Sequence, residues 1–414
     1  MTTRLAVLLD GAHVADVERT RSGVLRLTYH DDLAPGATPL SLALPPQRGR
    51  FTGEAVETWL WGLLPESEAA RSALRRTHGA DPRDPLSLLS AIGRDCAGAV
   101  QFCEPDDVAA NFAREGRLEA VTDSDIEARL AAMRLGDEPS WVLPEEHWSL
   151  GGMQQKLALR RESGRWHYAT GAEPTTHIVK PGVRQVRAQA LIEHVTMRAA
   201  RTLGVAVAST EFVDFRSERA IVIDRFDRAR DDAGRVRRLH QEDLCQALGV
   251  REKYEDTGGP SAARIVALLR DSAASPADAR RNTEAFLNGL VFNTVTASPD
   301  AHSRNYAVLL DGDRVHLAPL YDVATGLAYS IGTRASRRLS MSIGGVFDWE
   351  AIDAEAWRRC AAELGVDESA VLDRVHRMTA DAPAAFAAAL DEVEDWDGSV
   401  TDVRTRLLPA LENR

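Results

Sequence analysis

A chain of 414 residues with 44% hydrophobic and 27% charged side chains has the composition of a globular protein with room for two or three domains, each with its own core. Its formal net charge of −12 excludes a protein whose main work is gripping nucleic acid unaided, so any DNA contact calls for a partner. The apolar run before Asp10 is only five residues long and no stretch of about 18 uncharged apolar residues occurs, so the expectation is a cytoplasmic protein with no membrane contact.

Short strands at "RLAVLLDG" and "VLRLTYH", helical patterns at "GEAVETWLWGLL" and "DPLSLLSAIGRD", and a strand at "AGAVQFCE" make residues 1–110 a small mixed subdomain. A charged connecting segment, 111–148, follows, with a short helix capped by Ser124 or Asp125. From 149 to 227 the pattern is hairpins. "QKLALRRESGRWHYAT" turns at Ser163-Gly164, "THIVKP" is a strand stopped by Pro181, "AQALIEHVTMRAARTLG" is a helix, and "STEFVDFRSERAIVIDRFDR" is a second hairpin. Beyond 228, to 414, helical patterns dominate: "HQEDLCQALG", "SAARIVALLRDS", "DARRNTEAFLNGLVFNTVTAS", "DWEAIDAEAWRRCAAELG" and "ESAVLDRVHRMTADAPAAFAAAL". One hairpin, "NYAVLLDGDRVHLAPLYD", interrupts them at Asp311-Gly312.

Cys96, Cys103, Cys245 and Cys360 form no C-x-x-C pair and the 11 histidines show no metal-ligand spacing, which predicts reduced, packed thiols and no metal site of the H-E-x-x-H kind. The cationic residues are more informative. Of 50, only Lys156, Lys180 and Lys253 are lysines. Lysine is a slim point charge that reaches a single phosphate oxygen where the planar guanidinium of arginine does not fit, so these positions are candidates for a nucleotide site.

Asp300 and Asn305 stand five residues apart before the Asp311-Gly312 hairpin, and Asp322 stands at its far end. Phosphoryl transfer from ATP needs one carboxylate to take or orient a hydroxyl proton, and an amide plus a second carboxylate to hold magnesium. A D-x-x-x-x-N loop and a hairpin that returns a second Asp deliver that set. Lys180 ends a strand, and Glu193 follows it on a helix, the arrangement in which a glutamate holds an ammonium against nucleotide phosphates. Taken singly, each residue also reads as a turn cap, a solvated charge or a substitution without purpose. "GGMQQK" fails as a Walker loop, because Leu157 follows Lys156 and a strand follows both; a glycine turn over phosphates at the start of a hairpin sheet fits better.

With "SLGGMQQK", "THIVKP", "IDRFDR", "HQEDLCQALG", "KYEDTGGP", "SPDAHSRNYAV" and "LYDV" in this order, the chain resembles the HipA family of bacterial serine/threonine kinase toxins. "PLSLALPPQRG" and "GLLPESEAAR" extend the likeness through the N-terminal subdomain. The resemblance implies an α+β, two-lobed protein-kinase-like fold with a β-rich small lobe (149–227) and a helical large lobe (228–414). It implies ATP and Mg2+ as cofactors, a protein substrate, and a DNA-binding antitoxin of the HipB type through which alone the chain meets DNA. By the same resemblance Asp300 is catalytic and Asn305 and Asp322 bind magnesium. Lys180, with Glu193, and His302 serve the nucleotide, as does Asn305; Asp224, Arg225 and Phe226 form the adenine hinge. Gly151, Gly152, Met153, Gln154, Gln155 and Lys156 form the phosphate loop, and Ser149 is an inhibitory autophosphorylation site. Met153 and Leu157 depart from the alanine and threonine common in the family. The substrate of the best-known member is an aminoacyl-tRNA synthetase, but substrate choice lies in surface contacts that one sequence does not expose. A small-molecule kinase on a similar fold and a catalytically silent repressor subunit are the alternatives. Lys253 falls in a family stretch, where a structural salt bridge is an equal reading.

Overall fold

The computed structural model describes residues 3–135, 143–183, 186–329 and 337–414. β1 (Arg4–Leu9), β2 (Ala12–Arg19), β3 (Leu25–Tyr29), β4 (Arg50–Thr52) and, farther along, a strand at Gln101–Cys103 build an antiparallel sheet. α1 (Glu54–Gly62), α2 (Glu68–His78) and α3 (Pro85–Ile92) contribute Trp59, Leu60, Leu74, Leu86 and Leu89 to its core. β5 (Asp95–Cys96) and β6 (Gln101–Cys103) complete the subdomain. β2 and α2 are absent from the sequence reading. In β2 an irregular register buries Val14 and Ala15 side by side and breaks the alternation; α2 is arginine-rich and turns only Ala70, Ala73 and Leu74 inward.

The connecting segment does more than connect. After α4 (Val108–Ala113), β7 (Gly116–Val121) joins the small-lobe sheet, and α5 (Asp123–Leu135) packs against the same lobe. β7 leaves most of its side chains exposed, so it carries no alternating signal. β8 (Trp148–Ser149) pairs in parallel with β5; β9 (Leu157–Glu162), β10 (Arg165–Gly171) and β11 (His177–Lys180) follow. α6 (Gln189–Thr202) then leads to β12 (Thr210–Phe215) and β13 (Glu218–Asp224). The resulting antiparallel sheet has the order β12-β13-β11-β9-β10-β7.

The large lobe opens on β14 (Arg228–Arg230), β15 (Val236–Arg238) and β16 (His240–Asp243), then α7 (Leu244–Leu248), α8 (Ala262–Asp271) and α9 (Pro276–Val295). "HQED" is a strand where the sequence reading has helix, because β16 pairs with β17 (Ala307–Asp311), which turns into β18 (Arg314–Leu317). Asp243 ends the strand and caps α7, its carboxylate accepting from Cys245 and Gln246 amides. β19 (Arg338–Ile343), β20 (Val346–Asp348), α10 (Ala354–Leu364), α11 (Glu368–Asp391) and α12 (Ser399–Glu412) finish the chain.

Two cores share the small-lobe sheet. Ala220 and Val222 of β13 pack into the core of the N-terminal subdomain, while Ile221 and Ile223 pack with α6 into the core of the large lobe. Strand alternation thus cements the sheet on both faces. All four cysteines are free and buried, and among the described residues no helix is long and apolar enough to cross a membrane.

Candidate active site

Lys180 closes β11 just before Pro181, its side chain on the cleft side of the sheet while Val179 faces the N-terminal core. Its Nζ donates to Glu193 Oε1 at 2.9 Å and to Asp322 Oδ1 at 2.7 Å. Burial opposes the ammonium, yet the Asp322 and Glu193 carboxylates outweigh burial and hold its pKa above the ordinary value. Burial also opposes the Asp322 carboxylate, but the Lys180 charge brings its pKa down to about 2. Glu193, fully buried on α6, is pushed upward by desolvation against the pull of Lys180. Gln189, one turn earlier on α6, donates to Glu193 Oε2 at 3.2 Å and fixes the carboxylate.

The loop after α9 presents Asp300, and the hairpin β17–β18 returns the chain to Asp322. Asn305 ties the two together: its Nδ2 donates to the Asp300 carbonyl at 2.7 Å and to the Asp322 carbonyl at 3.4 Å, leaving Oδ1 as its acceptor. Asp322 has φ of +57°, a left-handed backbone unusual for a non-glycine residue, so the surrounding structure holds it there against strain. The Asp300 carboxylate is 69% exposed and accepts a 2.8 Å hydrogen bond from Tyr254 Oη. His302, nearly buried, places Nε2 3.8 Å from the same carboxylate, and burial lowers its pKa. Its Nδ1 is buried with no partner among the described residues.

A cavity of about 670 Å³ joins these groups to the loop 150–156 and the crossover between lobes. Gly151, Gly152, Met153, Gln154 and Lys156 line it; Gln155 lines a small depression beside Pro65 and Trp148 instead. Gly152 has φ of +97°, and a Cβ on Gly151 would come within 2.8 Å of the Gly62 carbonyl, so the loop needs both glycines. Lys156 Nζ donates to the Gly151 carbonyl at 2.5 Å, and burial, reinforced by the Lys180 charge, lowers its pKa to about 8. At the crossover, Phe226 lies against the Tyr321 ring, 5.4 Å between centroids, and Asp224 pairs with His177 at 2.9 Å. The Arg225 guanidinium is committed to structure: it bonds the Asp227 carboxylate at 3.0 and 2.8 Å and the Cys96 carbonyl at 2.8 Å. Ser149 does not line the cavity; fully buried on β8, it donates to the Leu63 carbonyl at 2.6 Å.

Glu66, which the sequence reading does not single out, lines the same cavity. Its amide donates to the Gly152 carbonyl at 3.0 Å, and its carboxylate accepts from Lys253 at 3.1 Å and Arg304 at 2.8 Å. One residue of the N-terminal subdomain therefore ties the glycine loop to the segments flanking Asp300. Lys253 is a salt-bridge residue. These partners are 187 and 238 positions from Glu66, beyond any local sequence signal.

The sequence profile of the HipA N-terminal domain matches residues 5–103, and that of the HipA-like C-terminal domain matches residues 148–386. The chain belongs to the HipA family of serine/threonine kinase toxins. Y4mE of Sinorhizobium fredii, which bears a kinase name, is 32% identical over 95% of this chain and 94% of its own. The serine/threonine-protein kinase toxin HipA of Shewanella oneidensis is 30% identical over 93% of this chain and 89% of its own. The fold agrees as well. HipA of Shewanella oneidensis, solved in complex with HipB and operator DNA, superposes with a TM-score of 0.81 at 26% identity, covering 99% of this chain and 97% of that one.

Proposed function

We propose that this chain is an ATP- and magnesium-dependent serine/threonine protein kinase of the cytoplasm, the toxin of a toxin–antitoxin pair, with Asp300 as its catalytic base. The observation that carries the reading is Lys180 Nζ held between Glu193 and Asp322, at 2.9 and 2.7 Å, behind an exposed Asp300 carboxylate. The residues fit a magnesium nucleotide. Asp322 and Asn305 Oδ1 are hard oxygen donors; Gly151 and Gly152 have no side chain to bar a phosphate; and His302 Nδ1 is a buried polar atom without a partner among the described residues.

Bound at these residues, the magnesium nucleotide would supply the transferable phosphoryl group and the positive charge that offsets its oxygens. Lys180, its position fixed by Glu193, would hold a phosphate by one slim contact, Asp322 and Asn305 would ligate the cation, and Phe226 with the crossover backbone would receive the base. Asp300 orients the incoming hydroxyl and takes its proton, with Tyr254 holding the carboxylate in place. Its exposure at the cleft mouth suits a hydroxyl delivered on a protein surface better than an enclosed small molecule.

Ser149 is the self-inhibition site in this reading. Because its Oγ is buried against Leu63, modification in trans requires β8 to leave β5, and about −1.5 to −2 charges on the phosphoserine would then keep the loop from returning over nucleotide phosphates. An antitoxin of the HipB type supplies DNA contact, in keeping with a net charge of −12 on this chain. Incubation with magnesium-ATP followed by peptide mass spectrometry tests the proposal. Phosphate is expected on the peptide "EEHWSLGGMQQK", and none in the Asp300→Asn protein. An active enzyme that leaves Ser149 unmodified removes the self-inhibition; an Asp300→Asn protein with more than about 1% of wild-type transfer removes the catalytic role, given the ~10²–10⁴-fold contribution of a general base.

A further inference from the structure

Away from the cleft, potential ligand atoms converge on the outer face of the N-terminal sheet. His13 Nε2 lies 3.2 Å from Asp16 Oδ1, and His30 Nε2 lies 3.3 Å from Asp16 Oδ2. The two imidazoles meet edge to face with centroids 4.2 Å apart, and the ligating atoms of the three residues all fall within 4.8 Å of one another. In a regular strand His13 and Asp16 would point to opposite faces, since side chains alternate. A bulge reverses this. Val7 pairs with Ala15 but Leu8 with His13, so Val14 is the extra residue; Val14 and Ala15 both turn inward and His13 emerges beside Asp16. β3 brings the third group in register: Asp16 pairs with Thr28, and His30, two residues on, shares that face while its amide bonds the Val14 carbonyl at 3.0 Å.

We propose that His13, Asp16 and His30 form a site for a divalent transition metal ion of the zinc class, which pins β2 to the end of β3. Two imidazole nitrogens and one carboxylate oxygen are a donor set suited to Zn2+ and its neighbours, with a fourth position left for water or an outside ligand. It is a poor set for Mg2+ or Ca2+, which take oxygen donors, so this site and the cleft select different ions. The three side chains are between 14% and 30% exposed, accessible to an ion and still partly shielded from water. Ligation uses the Nε2 lone pairs, so each neutral imidazole carries its proton on Nδ1 in the bound state. Arg4 is the competitor, its guanidinium 2.8 Å from Asp16 Oδ2, but its side chain is 54% exposed and free to swing into water when a cation takes its place.

Calorimetric titration of the full-length, untagged protein with Zn2+, and separately with Mg2+, tests the site. A Zn2+ site is expected in wild type that is lost in the His13→Ala/His30→Ala double variant, whose ATP-dependent activity stays at the wild-type level because the cleft is untouched. Arg4→Ala should tighten Zn2+ binding several-fold by removing the competing cation. Bound Co2+ should give the intense visible absorption of a four-coordinate centre, absent from the double variant. Equal Zn2+ stoichiometry and affinity in wild type and double variant, or binding unchanged or weaker in Arg4→Ala, would overturn the proposal and leave a hydrogen-bonded surface cluster.

Discussion

At the scale of single residues, each of the three lysines is best understood from what its ammonium touches. Lys180 sits 3% exposed between two carboxylates, a space that suits one nitrogen and not a planar fork. Lys180→Arg keeps the charge and should still lower the rate of transfer about tenfold or more, since the guanidinium cannot satisfy Glu193 and Asp322 and leave a phosphate within reach. Autophosphorylation rates of the two proteins at saturating ATP check this, and a wild-type rate in the variant would make the lysine incidental. Lys156 bonds the loop's own carbonyl and Lys253 a distant glutamate, so the three lysines serve separate purposes. That Lys180 would meet Glu193, and Asp300 and Asn305 would meet Asp322, was legible in the sequence because the first two are 13 residues apart across one strand-to-helix step and one hairpin returns Asp322 beside Asn305. Arg225 lines the cavity at the crossover, and what the sequence did not show is that its guanidinium is held by Asp227 and the Cys96 carbonyl.

At the scale of elements, the short stretch after α1 holds the site together. Glu66 touches the glycine loop through its amide and both flanks of Asp300 through its carboxylate, and Arg304 and Lys253 together lower its pKa against the opposing effect of burial. Glu66→Gln keeps the amide bond to Gly152 and weakens both ion pairs, so the loops should drift apart and ATP should bind more weakly. A double-mutant cycle of Glu66→Gln with Arg304→Ala, read by nucleotide affinity, should return a coupling of about 0.5–3 kcal/mol; additivity would mean that the pairs merely stabilise the surface. Three strands that sequence reasoning missed share a cause. β2 is bulged, β7 lies exposed on an edge, and β16 borrows its strand character from β17; in each, long-range pairing overrides the local pattern.

At the scale of the whole molecule, the N-terminal subdomain grips both lobes, and its contact with the large lobe includes two buried titratable groups, Glu242 and His240. The loop 38–42 runs along β16: the Leu42 amide donates to Glu242 at 2.7 Å, His240 Nε2 donates to the Leu40 carbonyl at 3.1 Å, and Ser41 Oγ donates to the Gln246 carbonyl. Burial raises the Glu242 carboxyl from 4.5 to about 8, against the Leu42 hydrogen bond, so the folded protein keeps it protonated at neutral pH. The folded state therefore binds more protons than the unfolded chain between these values. Stability from this group is full below pH 4.5 and is lost as pH rises towards and through about 8. His240 has the opposite slope, its pKa lowered by burial to about 4, so its contribution falls as pH drops below 6.5. Glu242→Gln keeps an acceptor for Leu42 and removes the titration. The variant should match wild type near pH 5 and exceed it in stability near pH 8.5, the gap widening as pH rises across the Glu242 window. Chemical denaturation of both proteins at the two pH values measures the gap. A constant difference would place the Glu242 proton elsewhere; a widening one would show that the protonated Glu242 side chain is part of what holds the loop 38–42 on β16.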